Sequence, residues 1–311
     1  MSANPASLAA GERTAAQAAG ERAAAEASGG RTSARGGRVL RHRVGMVLIA
    51  VFVAAYLMPV AGVLSTSLKT NAEIAERGIW ALTGQLTLAN YIDVWSTANT
   101  VRYLINSFQV AIPAVAVSIA GGTLIGYALA KFRPRGGTII QLIIVSGLFV
   151  PPQVLLVPLF TMFRSLDLLN TLWPMILIHS AVGFSVCTLV MRNFFDQIPD
   201  SLRYAALIDG ANEGDVFWRV MLPLARPALA ALATLQFTFI WNDFLYPLVF
   251  TSARDDVATI MLGLLNVKGQ FTVAYGTQAS LAVIASIPTV AIFFVFQKHF
   301  VRGLLSGALK E

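Results

Sequence analysis

The sequence predicts an all-α membrane protein with six transmembrane helices, and three observations predict it. The 311-residue chain is 56% hydrophobic and only 13% charged, where a soluble domain carries roughly 25% charged residues. Six windows are almost free of charge: 44–64, 103–130, 138–163, 168–191, 227–252 and 271–297. Each holds at least the ~20 residues that cross a bilayer core as helix. Of 23 basic and 16 acidic residues, only Asp243 falls inside these windows. Strands do not fit, because a membrane barrel alternates apolar and polar residues, whereas Val47–Leu57 is apolar on every face. Pro59, Pro113, Pro158, Pro174, Pro247 and Pro288 lie inside the windows, and neighbouring helices in a membrane bundle satisfy the backbone groups that proline frees.

In chain order, residues 1–43 come first, built mostly of Ala, Gly, Ser, Thr, Glu and Arg. They have too few large apolar side chains to bury a core and are expected to be a disordered tail. Glu12, Glu21 and Glu26 argue against a transit peptide. The net charge of +7 does not point to nucleic acid. Arg31–Arg43 has five Arg, His42 and no acid, the composition of a juxtamembrane cluster against anionic lipid headgroups. The remainder, 44–311, holds the six spans. Connections 131–137 and 192–226 share a side with both termini, and that side carries 17 Lys and Arg against 6 on the other. The asymmetry predicts a multi-pass protein of the cytoplasmic membrane with both termini cytoplasmic.

Little in the chain points to chemistry. No phosphate-binding G-x-x-x-x-G-K-[ST] run is present. Gly121, Gly122 and Gly126 in the second window read as a close helix contact through small residues. His42, His179 and His299 are scattered and Cys187 is the sole cysteine, so neither a metal site nor a disulfide is expected. His179 is the one histidine and Asp243 the one acid within the spans, where burial is costly enough to mark them.

The informative stretch is the 192–226 connection, longer than two membrane helices need. Asp200 or Ser201 is placed to cap a short helix, and Gly210 to end it in a left-handed conformation. Asn212 caps a second helix with Glu213 and Asp215 in its first turn, and Pro223 stops it. Val216, Phe217, Val220 and Met221 recur at helical spacing. Two readings of that stripe stay open: packing against the protein's own helix ends, or docking in the groove of a soluble partner.

Within this stretch, Ala205-Ala206 followed by Asp209-Gly210-Ala211, with Phe217 seven residues after Gly210, resembles the EAA loop of binding-protein-dependent ABC importers. Arg192–Pro199, Trp241–Leu248 and the ending Phe300–Lys310 look like the MalG-type permeases of carbohydrate importers. The resemblance covers roughly residues 40–311. It departs at Tyr204, where the family motif opens with Glu. It implies the fold of a type I ABC importer permease, with Ala205, Ala206, Asp209, Gly210, Ala211, Val216, Phe217, Val220 and Pro223 forming the coupling element. It further implies a second homologous permease, ATPase subunits that use ATP and Mg while this chain binds no cofactor, an extracytoplasmic solute-binding protein, and a sugar or oligosaccharide as cargo. The chain is then a transport subunit and not an enzyme. Within the fifth span, Asn242, Asp243 and Tyr246 are expected along the translocation pathway, since amide, carboxylate and phenol groups hydrogen-bond sugar hydroxyls. The alternatives are a secondary transporter, or an intramembrane enzyme, using Asp243 and His179. The connection 253–270, with Arg254, Asp255, Asp256 and Lys268, reads either as a solvated link or as a contact with the binding protein.

Overall fold

The computed structural model describes residues 42–81, 84–96, 99–251, 254–266 and 274–308. All regular structure among them is helical. The predicted disordered tail lies outside the described residues up to 41. Helix α1 spans His42–Ser67, and the described residues divide after residue 62 into two compact units. The first unit is described by α1 alone, whose sequence is apolar all round, as a span's must be.

In the second unit, Thr70 caps α2 (Asn71–Arg77) by accepting from the Glu73 amide, and Gly78 at φ 81° ends it. Helix α3 (Ala89–Ser96) leads into α4, which runs unbroken over Thr100–Phe132. The last turn of α4, Ala128–Phe132, is π-helical. Helices α5 (Gly137–Phe149) and α6 (Pro152–Ser165) meet at 94°. The sequence reads 138–163 as one span, and within that window the structure has two helices joined at a bend. Pro151 and Pro152 sit at the break, where the ring of each proline removes an amide donor and clashes with the preceding turn. Helix α7 covers Trp173–Gln197.

Helices α8 (Asp200–Ile208) and α9 (Glu213–Leu224) come next, and α9 contains a second π turn, Val216–Met221. Helix α10 (Arg226–Trp241) leaves α9 at 71°. The predicted fifth window, 227–252, is likewise not one helix. It divides into α10 and α11 (Leu245–Thr251), with Asn242–Phe244 between them. Helix α12 (Ile260–Asn266) and the long α13 (Tyr275–Ala308) complete the chain. Among the described residues, four helices are uninterrupted and long enough to cross a membrane, or six if each bent pair is one span.

The axis of the second unit is α4 against α7. A Cβ on Gly122 would lie 2.4 Å from the Cys187 Cβ and 2.8 Å from the Thr188 nitrogen, and one on Gly126 would lie 2.7 Å from the Arg192 nitrogen. The small residues therefore bring the two backbones together, as small-residue interfaces do in membranes. Trp241 fastens α10 to α13, its indole N–H donating to the Ala285 carbonyl at 2.9 Å, and its ring lies 4.8 Å from that of Phe108 on α4. Two apolar clusters fill the unit. One gathers Tyr103, Phe163, Met175, Phe237, Trp241 and Phe250, and the other gathers Tyr127, Cys187, Met191, Phe195, Phe217 and Met221.

Candidate functional site

The α8–α9 hairpin is built as the spacing of its residues requires. Gly210 adopts φ 89°, a conformation open to glycine without strain, and α8 ends just before it. A Cβ at Gly210 would meet nothing within 4 Å, so the demand there is on the backbone alone. The Asn212 side chain accepts from the Asp215 amide at 2.9 Å and so caps α9. At the start of α8 the expectation fails. Pro199 holds the cap position without a side-chain bond, and Asp200 is already helical. The Asp200 carboxylate is drawn elsewhere, to Lys131 at 2.7 Å and Arg133 at 3.4 Å.

Lys131 lies in the π turn at the end of α4 with a fully buried side chain, and its Nζ also donates to the Ile198 carbonyl at 2.6 Å. The hydrogen bond from Lys131 is the chief reason the Asp200 carboxyl is held below the usual carboxylate range, with the charges of Lys131, Arg133 and Arg203 adding to it. A second tie joins the hairpin to itself and to α4. Arg203 on α8 pairs with Glu213 on α9, and its guanidinium lies over the Phe132 ring at 5.4 Å. The hydrogen bond to Glu213 raises the Arg203 pKa further. Tyr127 donates to the same Glu213 carboxylate at 3.5 Å. The hairpin is thus pinned to the foot of α4 by a buried ammonium and a bridging carboxylate. Sequence reasoning placed Asp200 and Glu213 only at helix starts and missed Tyr127, Lys131 and Arg203 as their partners, the only local signal being a basic residue at the end of a span.

The apolar stripe divides between the two readings. Val216 and Met221 are fully buried, and Phe217 is 6% exposed with its ring 5.0 Å from that of Tyr127. They pack inside the chain's own second cluster. Phe217 is therefore corrected from a partner anchor to a core residue, because the π turn aims it at Tyr127. Val220, Pro223, Ala206 and Ala211 are half-buried, while Ala205, Asp209 and Gly210 are exposed. The apolar surface that faces away belongs to residues outside the predicted set: Ile208 at 84%, Trp218 at 65% and Tyr204 at 54% exposure.

The break in the fifth window holds the second group. Asp243 places Oδ1 on the Leu245 amide at 3.0 Å, so it caps α11, and Oδ2 3.1 Å from Nε2 of the buried His179 on α7. The Tyr246 ring stands edge-on to the imidazole at 5.3 Å and is buried. Asn242 is exposed and donates back to the Thr238 carbonyl at 2.8 Å. The structure brings His179, Asp243 and Tyr246 together but gives both Asp243 oxygens internal work. Of the three predicted pathway residues, Asn242 alone presents itself to the surface.

The connection after α11 is folded. Tyr103 and the Asn99 amide hold Asp255 at 2.6 and 2.7 Å, Asn106 donates to the Asp256 and Ala258 carbonyls, and Ala258 and Ile260 are fully buried. Its reading as a solvated link is thereby corrected for residues 254–266, while Lys268 and Gln270 lie outside the described residues.

Comparison with known proteins sets this geometry in a family. A family model described as "Binding-protein-dependent transport system inner membrane component" matches residues 122–306. The sulfoquinovosyl glycerol transport system permease protein SmoH of Agrobacterium fabrum is 34% identical over 254 residues, 82% of this chain and 89% of that protein. The arabinooligosaccharides transport system permease protein AraQ of Halalkalibacterium halodurans is 32% identical, over 86% of this chain and 95% of its own. A chain in the crystal structure of a bacterial ABC transporter involved in import of the acidic polysaccharide alginate superposes with a TM-score of 0.71. At 24% identity it covers 83% of this chain and 95% of that chain, and the likeness is one of fold.

Proposed function

The chain belongs to the binding-protein-dependent transport system inner membrane component family, and from that premise we propose that it is the permease subunit of an ABC importer for a sugar or oligosaccharide. Relatives named for sulfoquinovosyl glycerol and for arabinooligosaccharides support the cargo class. As a transport permease it moves cargo and is not an enzyme. In this reading a second homologous permease completes the pore, two ATPases below use ATP and Mg, and an extracytoplasmic binding protein delivers the sugar from above. A structure of an alginate transporter in complex with a ligand-bound periplasmic protein, similar in fold at a TM-score of 0.59, supports the last of these. Both termini and the hairpin face the cytoplasm, as the excess of Lys and Arg on that side argues.

The observation that carries the mechanism is the pinned hairpin. Ile208, Trp218 and Tyr204 offer the apolar face that an ATPase cleft would receive. Tyr204 replaces the acidic opening of the family motif with an aromatic ring flanked by Arg203 at 5.5 Å. Because Lys131 and Glu213 bind the hairpin to α4, and only two residues separate α8 from α7, a push on the hairpin is a push on the two central helices. Closure of the ATPases on ATP would then tilt α4 and α7 and turn the pathway from inward-facing to outward-facing. Asn242 is the pathway residue of the fifth span, with Asp243 and Tyr246 shaping the break that presents it.

The test is co-purification of the ATPase with wild-type, Ile208→Glu and Trp218→Ala permease, alongside sugar uptake in cells. Both variants should lose ATPase and uptake while remaining folded in the membrane. Normal association and uptake in both would remove the hairpin as the coupling element.

A further inference from the structure

Helix α4 carries a polar stripe that the fifth-span pathway does not use. Arg102, Asn106 and Gln109 succeed one another at i, i+4 and i+7, the spacing of one helix face. Gln109 lies nine residues past the start of α4, about 13 Å along its axis, well inside the predicted span. An amide or guanidinium at that depth is costly against lipid and signals water, a partner or a ligand. Asn106 is spent on the Asp256 and Ala258 carbonyls. Arg102 and Gln109 are exposed and make no hydrogen bond or ion pair among the described residues.

Two cavities meet at Gln109. One of about 620 Å³ is lined by Trp95, Arg102 and Gln109, with Asp256 on its wall. The other, of about 430 Å³, runs from Gln109 past Asn170 and Trp173 to Arg254. Each thus has one indole, one guanidinium and a share of the same primary amide. Trp95 and Trp173 are both 56% exposed. An aromatic belt at the membrane interface would account for the indoles, but not for unpaired Arg102 and Gln109 beside them.

We propose that this face of α4 is a lane for a neutral saccharide, with Trp95 and Trp173 as stacking platforms for the apolar faces of sugar rings and Arg102, Gln109 and Asn170 as hydroxyl partners. The inference rests on the reading of the chain as a sugar permease. Charge balance sets the class. The Asp256 carboxylate pairs with Arg254 and also feels the charge of Arg102 across the first cavity, whose wall it shares. A carboxylate already seated between the two guanidiniums repels a second one, which favours a polyhydroxyl ligand over a uronate or sulfonate. Phe108 packs on Trp241 beside the break, so the lane lies on the helix that adjoins Asn242, the exposed pathway residue.

The experiment uses the whole importer in sealed vesicles with the permease carrying Gln109→Cys. Native Cys187 is the sole cysteine of this chain and is fully buried, so the introduced thiol is the one in the permease band that a membrane-impermeant maleimide reaches. Added from the binding-protein side, the reagent should label it, and saturating maltotriose should slow labelling at least threefold. Trigalacturonate, an acidic trisaccharide, should leave the rate unchanged, and Arg102→Gln in the same background should remove the protection by maltotriose. No labelling, equal rates with and without maltotriose, or protection by trigalacturonate alone would overturn the lane. ATP hydrolysis in wild-type vesicles separates the two levels. A response to the binding protein with failed protection loses the lane and keeps the permease, whereas no response to the binding protein loses both.

Discussion

Replacing Phe217 with alanine should unseat the hairpin from within, whereas replacing its neighbour Trp218 should leave the fold alone. Phe217 is 6% exposed among Tyr127, Met191, Phe195 and Met221, and Trp218 is 65% exposed. Truncating a buried phenylalanine costs about 3–5 kcal/mol in lost transfer energy and residual cavity. With roughly a third of its side chain covered, Trp218 should lose about 1 kcal/mol on the same scale. For a domain of this size each kcal/mol moves the melting temperature by about 2–4 °C. Phe217→Ala should therefore lower it by about 6–20 °C and Trp218→Ala by a few degrees at most. The measurement is thermal unfolding of the detergent-solubilised permease without its partners, monitored by circular dichroism. Omitting the ATPase separates internal packing from docking. If Phe217→Ala melts with wild type, or if Trp218→Ala shifts as far, the stripe does not divide at the π turn.

The same geometry sets the outcome of other substitutions. Asp243→Ala should destabilise the detergent-solubilised permease by about 1–3 kcal/mol through the orphaned cap and imidazole. Asp243→Asn, which keeps an acceptor for the Leu245 amide and a partner for His179, should melt close to wild type. Gly122→Ala should lower the yield of monodisperse permease on size exclusion, because its Cβ meets the Cys187 Cβ and backbone at an overpacking cost of about 1–3 kcal/mol. Gly210→Ala, with open space but φ 89°, should cost only the backbone strain of about 1–2 kcal/mol. The Asp200 carboxyl is held below its ordinary value by Lys131. A depressed native pKa contributes stability that is fully present above the unfolded value near 4 and is lost as pH falls through the native value. Melting temperature should accordingly drop below about pH 4 with an Asp200 component that Lys131→Met reduces, and identical pH profiles would contradict it.

Length without charge is a direct physical requirement of a span, which is why the apolar windows could be read from composition. The caps at Asn212 and the turn at Gly210 were legible for a similar reason, since each is a local demand met by few residue types. Hydropathy is blind to direction, however. It stays high through Pro151 and Pro152 while the axis turns by 94°, and a lone Asp243 in an apolar window does not announce that the helix stops there. Its partner His179 lies 64 residues away and that of Asp200 lies 69 residues away, distances at which no spacing rule operates. The stripe at 216–221 identified what would be covered but not by what. An amphipathic face is the same whether its cover is the chain's own α4 or a foreign groove, and only the direction given by the π turn separates Phe217 from Trp218.

The two π turns, Ala128–Phe132 in α4 and Val216–Met221 in α9, have a bearing on how such importers can be recombined. A π turn accommodates more residues than an α turn within the same helix, so every side chain beyond it is out of phase with a regular α-helix. Deleting a single residue from 128–132 would restore the regular ladder and swing the downstream chain by about 100°. Lys131 would then no longer point at Asp200. The same deletion in 216–221 would exchange the inward face of α9 for its outward one. The joint is therefore sensitive to chain length in a way that it is not sensitive to side-chain size. Chimaeras that exchange this hairpin between permeases should be cut outside both turns, with the residue count between the cuts preserved, or the transplanted hairpin will arrive rotated.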